Sequence, residues 1–348
     1  MTMHYRGLHR GPFDVPPALP ELDDLQRAID AGGRHLHVTT TRCATGLPVH
    51  AIALGNPSRD VPGVGFIAGV HGLERIGTQV VIAWLQGLVH RLRWDATLHR
   101  QLEHVRVLLV PLVNPGGMLR GTRANPAGVD LMRNAPLDAV DRVAPVVGGH
   151  RLGGWLPWYR GRVDGPMEPE ATALCESVHR ELHGRRFGIA LDCHSGFGLR
   201  DRLWFPYAHS RSPMPELPEL HALVEIFTQS LPHHPYVVEP QSRQYLAHGD
   251  LWDYLSLRSR AAGEGVFLPL TLEMGSWLWV KKNPRQLFSR AGMFNPLLAH
   301  RQQRVLRRHL PLLDFLLRAA IAADRWLPAG ADRDQHRRAA MRRWYHGA

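Results

Sequence analysis

His71 and Glu74 stand three residues apart where a short apolar run, residues 64–70, passes without a break into a helical pattern, residues 74–90. At that spacing an imidazole and a carboxylate can converge on one side of a turn of chain. Both suit zinc, which in catalytic sites takes three protein ligands and keeps a position open for water. One H-x-x-E in a chain with 22 histidines is a weak signal. It sharpens because His194 follows a second apolar run and Glu273 ends a third, giving two histidines, one carboxylate and a further carboxylate for proton transfer. Strand alternation puts Asp192 on the same face as His194, either behind that histidine or paired with a nearby arginine. Cys193, in an apolar strand end, reads as a buried thiol rather than a nucleophile.

These groups need a scaffold that brings distant segments together. The spacing of apolar residues predicts strands over 64–70, 105–110, 187–192 and 266–274, and an edge hairpin of 35–41 with 49–54. Helices are expected over 21–31, 74–90, 168–183 and 218–229, from 249 onward, and in a last element over 296–326. Residues 111–117 read as a loop, because two prolines and two glycines punctuate them, and residues 123–134 as a second one. The alternation implies an α/β fold with a mainly parallel sheet, whose sites lie outside the carboxyl ends of the strands. His71, His194 and Glu273 all fall there. With no repeat or low-complexity linker in view, the expected division is a lead-in and helix over 1–34, one catalytic domain over 35–328 and a mobile basic tail over 329–348.

The ordered series His71-Gly72-Leu73-Glu74, Asn114-Pro115-Gly116-Gly117, Arg123, Gly128-Val129-Asp130-Leu131-Met132-Arg133-Asn134, His194-Ser195, Tyr245 with Gly249, and Thr271-Leu272-Glu273 closely resembles the zinc carboxypeptidase family of metallopeptidases. Order and spacing agree over roughly residues 35–325. The resemblance implies a mixed, mainly parallel eight-stranded sheet flanked by helices, with one zinc per chain on His71, Glu74 and His194. It implies Glu273 as general base, Arg123 as stabiliser of the oxyanion and Asp130 as the carboxylate that orients the first zinc-binding histidine. Arg133, with Asn134, is implied to grip a substrate carboxylate, and Tyr245 to close over the bound substrate.

Two departures stand out. Met132, which offers no useful hydrogen bond, occupies a position where the family usually has Asn. Trp252 is placed where peptidases read the substrate's terminal side chain, which implies a small or shallow pocket. The phrase Gly69-Val70-His71-Gly72-Leu73-Glu74-Arg75-Ile76-Gly77 is also similar to the first motif of a related branch, succinylglutamate desuccinylase and aspartoacylase, whereas Tyr245 and the paired arginines point toward peptidases. The expected substrate is thus a small peptide or an N-acyl amino acid, cleaved at the amide next to a free carboxylate. A non-catalytic peptide-binding module on the same fold is the rival, although a pure binder has no need of Glu273.

Composition bounds the remaining options. A chain of 348 residues, 44% hydrophobic and 21% charged, can bury a large core. The net charge of +11 is concentrated in Arg-rich segments near the C-terminus, with no recognisable nucleic-acid module, so a solvated face is expected rather than a nucleic-acid partner. Charges and prolines in residues 1–20, three scattered cysteines and no apolar run of membrane-spanning length suggest a cytoplasmic protein without a membrane partner. Residues 63–68 match a dinucleotide fingerprint formally but form the strand itself, and no G-x-S-x-G elbow or P-loop is present.

Overall fold

A computed structural model describes residues 19–263 and 265–345. The expected irregular lead-in therefore lies almost wholly outside the described residues. In chain order the elements are α1 (Pro20–Gly32), β1 (His37–Arg42), β2 (Pro48–Gly55), β3 (Gly63–Ala68), α2 (Arg75–Arg91), α3 (Ala96–Glu103), β4 (Arg106–Val110) and α4 (Pro115–Arg120). There follow α5 (Pro169–Glu181), β5 (Phe187–Ser195), β6 (Arg202–Phe205), α6 (Leu217–Ser230), β7 (Val237–Pro240), α7 (Leu251–Ala261) and β8 (Val266–Met274). The chain continues through α8 (Trp277–Lys282), α9 (Arg290–Phe294), α10 (Ala299–Ile321), α11 (Ala323–Trp326) and α12 (Gly330–Trp344).

The strands form one mixed sheet in the order β1-β2-β4-β3-β5-β8-β6-β7. The four strands β4, β3, β5 and β8 run parallel at its centre, while the β1–β2 hairpin and β6–β7 pair join antiparallel to it on either side. Alternation along each strand sends side chains to two separate cores. Val64, Phe66, Ile189, Leu191, Leu268, Leu270 and Leu272 pack on one face, where α1, α2, α6 and α10 supply the covering layer. Ile67, Leu108, Val110, Ala190 and Phe267 pack on the other, beneath α5 and α7. Toward the carboxyl ends of β5 and β8 the α5/α7 face turns polar, with Asp192, His194, Thr271 and Glu273 in place of aliphatic residues.

Two expectations about local structure are corrected. Residues 115–117, the end of the segment read as loop, open α4. Proline at the first helical position loses no bond, because that N–H has no partner within a helix. Asn114 Oδ1 caps the turn by accepting from Gly117 N at 2.8 Å, and Gly121 closes it in the left-handed region at φ 62°. The segment expected as a mobile basic tail contains a complete helix, α12, docked on α6. It is polar almost all round, so it lacks the apolar stripe by which a sequence announces a packed helix. Its anchors are few. The Trp344 indole donates to Val238 O at 2.8 Å and meets Phe205 edge-on, while the Arg333 guanidinium pairs with Glu219 at 2.6 Å.

Trp344 is 2% exposed, which sets its expected effect. Trp344→Ala should destabilise the protein by about 3–5 kcal/mol, the usual loss for truncating a buried Trp. Denaturant unfolding checks this, and a change below about 1 kcal/mol would mean that α12 is not docked in solution.

Candidate active site

His71 is held in the turn between β3 and α2, immediately beneath α4. Gly72 is required there, since a Cβ at that position would lie 2.1 Å from the Gly117 carbonyl carbon. Asn114 ties the two segments together, its Nδ2 donating to Val70 O at 3.2 Å. Glu74 precedes α2, and Asn295 steadies the junction by accepting from Ile76 N and donating to Leu73 O. His194 and Glu273 need no loop at all, because they are directly opposite residues on the parallel strands β5 and β8.

The three candidate ligands converge. His71 Nδ1 lies 2.8 Å from Glu74 Oε1, His194 Nδ1 lies 3.0 Å from Glu74 Oε2, and the two Nδ1 atoms are 3.2 Å apart. Two nitrogens bound tetrahedrally to one zinc at its usual bond length stand about 3.3 Å apart, so the donor set fits that ion. The far nitrogen of each ring meets a carboxylate. His71 Nε2 is 3.2 Å from Asp130 Oδ1, and His194 Nε2 is 2.8 Å from Asp192 Oδ2. Such outer carboxylates fix tautomer and ring orientation and leave both Nδ1 lone pairs pointing inward. Asp192 thus takes the first of its two expected positions.

Electrostatics divides the two central glutamates. Burial alone would raise the pKa of Glu74, but His71 and His194 beside it hold the carboxyl well below its ordinary value. Glu273 moves the other way, up to about 8, because burial and then the negative charge of Glu74 disfavour its ionised form. Its Oε2 is buried without a hydrogen-bond partner. Burial opposes charge at Arg123 as well, yet the carboxylates of Asp130 and Glu74 keep its guanidinium above the ordinary value. The Cys193 thiol is pushed well up by burial and then by Asp192, as expected of a group that is not a nucleophile.

A cavity of about 450 Å³ opens over this floor. Arg123 reaches it with Nε bonded to Asp130 Oδ2 at 2.8 Å and Nη1 3.8 Å from Glu74 Oε1. Arg120, a near neighbour in sequence, points away and donates to Pro126 O. Arg133 is nearly buried in the wall, with its Nε unpartnered and its Cζ 5.5 Å from the centre of the Tyr245 ring. Gly249 makes that placement possible, since a Cβ there would lie 1.9 Å from Arg133 O. Tyr245 packs edge-on to Trp204, with Phe197 beside it.

Two expected pocket residues stand elsewhere. Asn134 has both ends of its amide committed to backbone, with Nδ2 donating to Arg160 O at 3.0 Å and Oδ1 accepting from Glu168 N at 2.6 Å. It shapes the loop and is not in the cavity lining. Trp252 lies behind the floor, at the start of α7, where its indole donates to Asp192 Oδ2 at 2.8 Å. It completes the support of His194 and does not make the cavity small. Met132 does line the wall, together with Phe197, Trp204, Gln241, Thr271 and Trp158, which sequence reasoning did not single out. Trp204 and Gln241 come from β6 and the turn after β7, elements too short to carry a clear pattern.

Around one cavity stand three groups able to hold a divalent ion, a carboxyl with raised proton affinity and two guanidinium groups. A family model described as zinc carboxypeptidase matches residues 31–275, a span that includes every group in this set. Similar solved structures include bovine thrombin-activatable fibrinolysis inhibitor in complex with tick carboxypeptidase inhibitor, with a TM-score of 0.61 and 16% identity over 87% of this chain and 94% of that one. The carboxypeptidase A from Helicoverpa armigera aligns with a TM-score of 0.58 and 17% identity over 86% of this chain and 72% of that one. A metallo-carboxypeptidase from Burkholderia cenocepacia aligns at 0.54 and 17%, over 87% and 68%. At these identities the likeness is one of fold.

Proposed function

The chain belongs to the zinc carboxypeptidase family of hydrolases, and from that premise we propose that it cleaves the amide bond next to a free carboxylate, as a metallocarboxypeptidase does. His71, Glu74 and His194 hold one catalytic zinc, and Glu273 is the general base. The observation that carries this reading is the unpartnered Oε2 of Glu273, opposite His194 in the sheet register and facing the cavity. A carboxyl group held there with no protein partner is free to exchange a proton with what enters the cavity, a property a binding module does not need.

Zinc, when bound, supplies a Lewis acid beside the scissile carbonyl and a water of lowered pKa. Glu273 takes a proton at the cavity floor and passes it to the leaving nitrogen. Arg123, anchored at Nε by Asp130, offers its remaining N–H groups to the oxygen that gains charge. Arg133 binds the substrate carboxylate, and Tyr245, stacked on its guanidinium, closes the cavity over the substrate. Asp130 and Asp192 keep the imidazoles turned with Nδ1 inward.

Paired peptides, identical except for a free or amidated C-terminus, test the reading alongside N-acyl amino acids. Release of the last residue from the free form, and not from the amidated one, is expected. Equal cleavage of both would remove the carboxylate requirement, and preference for N-acyl amino acids would choose the deacylase branch. Arg133→Lys should raise KM about tenfold or more with a much smaller change in kcat, because an ammonium loses the two-pronged geometry of a guanidinium.

A further inference from the structure

Outside the cavity, a second cluster of metal-ligand atoms stands between α6 and α12. His221 and Glu225 are one turn apart on α6, and His336 meets them from α12. The Nδ1 atoms of His221 and His336 lie 2.8 Å apart, and the two oxygens of Glu225 lie 3.7 Å and 3.8 Å from them. Behind His336, Asp332 Oδ1 lies 3.8 Å from Nε2. We propose that His221, Glu225 and His336 form a second, non-catalytic site for a zinc-class divalent cation, which fastens α12 to the body of the protein.

Ligand chemistry selects the ion. Two imidazoles and one carboxylate suit zinc and its first-row neighbours, while calcium and magnesium prefer an all-oxygen shell. The adjustment needed is small. Tetrahedral zinc needs the nitrogens about 3.3 Å apart, so the rings open by roughly half an ångström and Glu225 closes by a similar amount. Glu225 is half exposed and free to rotate, and its open side gives the ion a path in. Arg342 and Arg343 make the surroundings positive. The site is therefore weaker than the one in the cavity. A helix as polar as α12 gains most from such a cross-link, since Trp344 and Ala340 are its only buried side chains among the described residues.

The test uses the full chain with His71→Ala, which disables the cavity site, and with zinc as the added ion. Elemental analysis after dialysis should give one zinc per chain, and none when His336→Ala or Glu225→Gln is added. Cobalt(II) in the same protein should give the visible absorption of a low-coordinate histidine site, absent from both double variants. Zinc should also slow amide hydrogen exchange in residues 330–344 of the single variant alone. In the otherwise wild-type chain, His336→Ala should remove one zinc and leave peptide hydrolysis unchanged. No zinc on the His71→Ala protein, or a zinc content indifferent to both His336→Ala and Glu225→Gln, would overturn the proposal.

Discussion

Glu273→Gln should lower kcat by about a thousandfold with the zinc content unchanged, within the usual contribution of a general base of roughly 10²–10⁴. Gln keeps the shape of the side chain and removes its ability to take a proton. Glu273 touches none of the three ligand atoms through a hydrogen bond, so the metal set should survive. A Gln variant with more than about a tenth of wild-type kcat would show that another group is the base. The same substitution has a second signature in metal-free protein. Glu273 binds its proton up to about pH 8 when folded and only up to about 4.5 when unfolded. Between those values the folded state holds the extra proton, so stability falls as pH rises through that window. Glu273→Gln abolishes this slope. With zinc chelated, the variant should therefore melt at a higher temperature than wild type at pH 8, and the gap should shrink toward pH 5, on the order of several kcal/mol at most.

His71→Ala should remove hydrolysis and one equivalent of zinc together. Three ligands are the minimum for a catalytic zinc, and the remaining pair, Glu74 and His194, holds the ion too weakly at micromolar concentration. The loss extends beyond one nitrogen. Asp130 and Glu74 both lose a hydrogen-bond partner when the ring goes, which leaves Asp130 bonded to Arg123 and to Met132 N. Affinity for zinc at that site should fall by more than about a hundredfold, since even second-layer partners are worth 10–100-fold. Elemental analysis beside peptide assays reads both losses. Full activity with the ion gone would dissolve the link between this cluster and hydrolysis.

The centre of the fold was legible because its strands are short runs of Val, Ile and Leu that end in polar residues of unusual type. The run ending at Met274 was placed to the residue, and the alternation Asp192, His194 showed which face the histidine takes. Periodicity failed where the elements are too short or too polar. β6 and β7 span four residues each, and β7 ends in proline. α12 spends its buried surface on Ala340 and Trp344 and offers no stripe to detect. α4 was hidden by the breaker residues that start and end it. The site residues divide the same way. Those lying at strand ends, and Asp130 bonded to His71, come together around one cavity. Asn134 and Trp252 were misplaced because position in a motif says nothing about which way a side chain turns, and both turn to satisfy buried partners, a loop backbone in one case and Asp192 in the other.

The register that seats His194 opposite Glu273 is one rung of a ladder that runs from Phe187 opposite Val266 to Ser195 opposite Met274. Arg133, Tyr245 and the wall residues Phe197 and Gln241 hang instead on segments between strands, around residues 123–134, 197 and 241–249, while Trp204 sits on β6. Heritable change therefore meets two different tolerances. Insertions and substitutions in the wall segments can reshape what enters the cavity while His194 and Glu273 keep their spacing. Deletion of a single residue within β8 would turn Glu273 to the opposite face of the sheet and end the chemistry in one step. In descent from a common ancestor, substrate range and reaction type are thus free to diverge at separate rates.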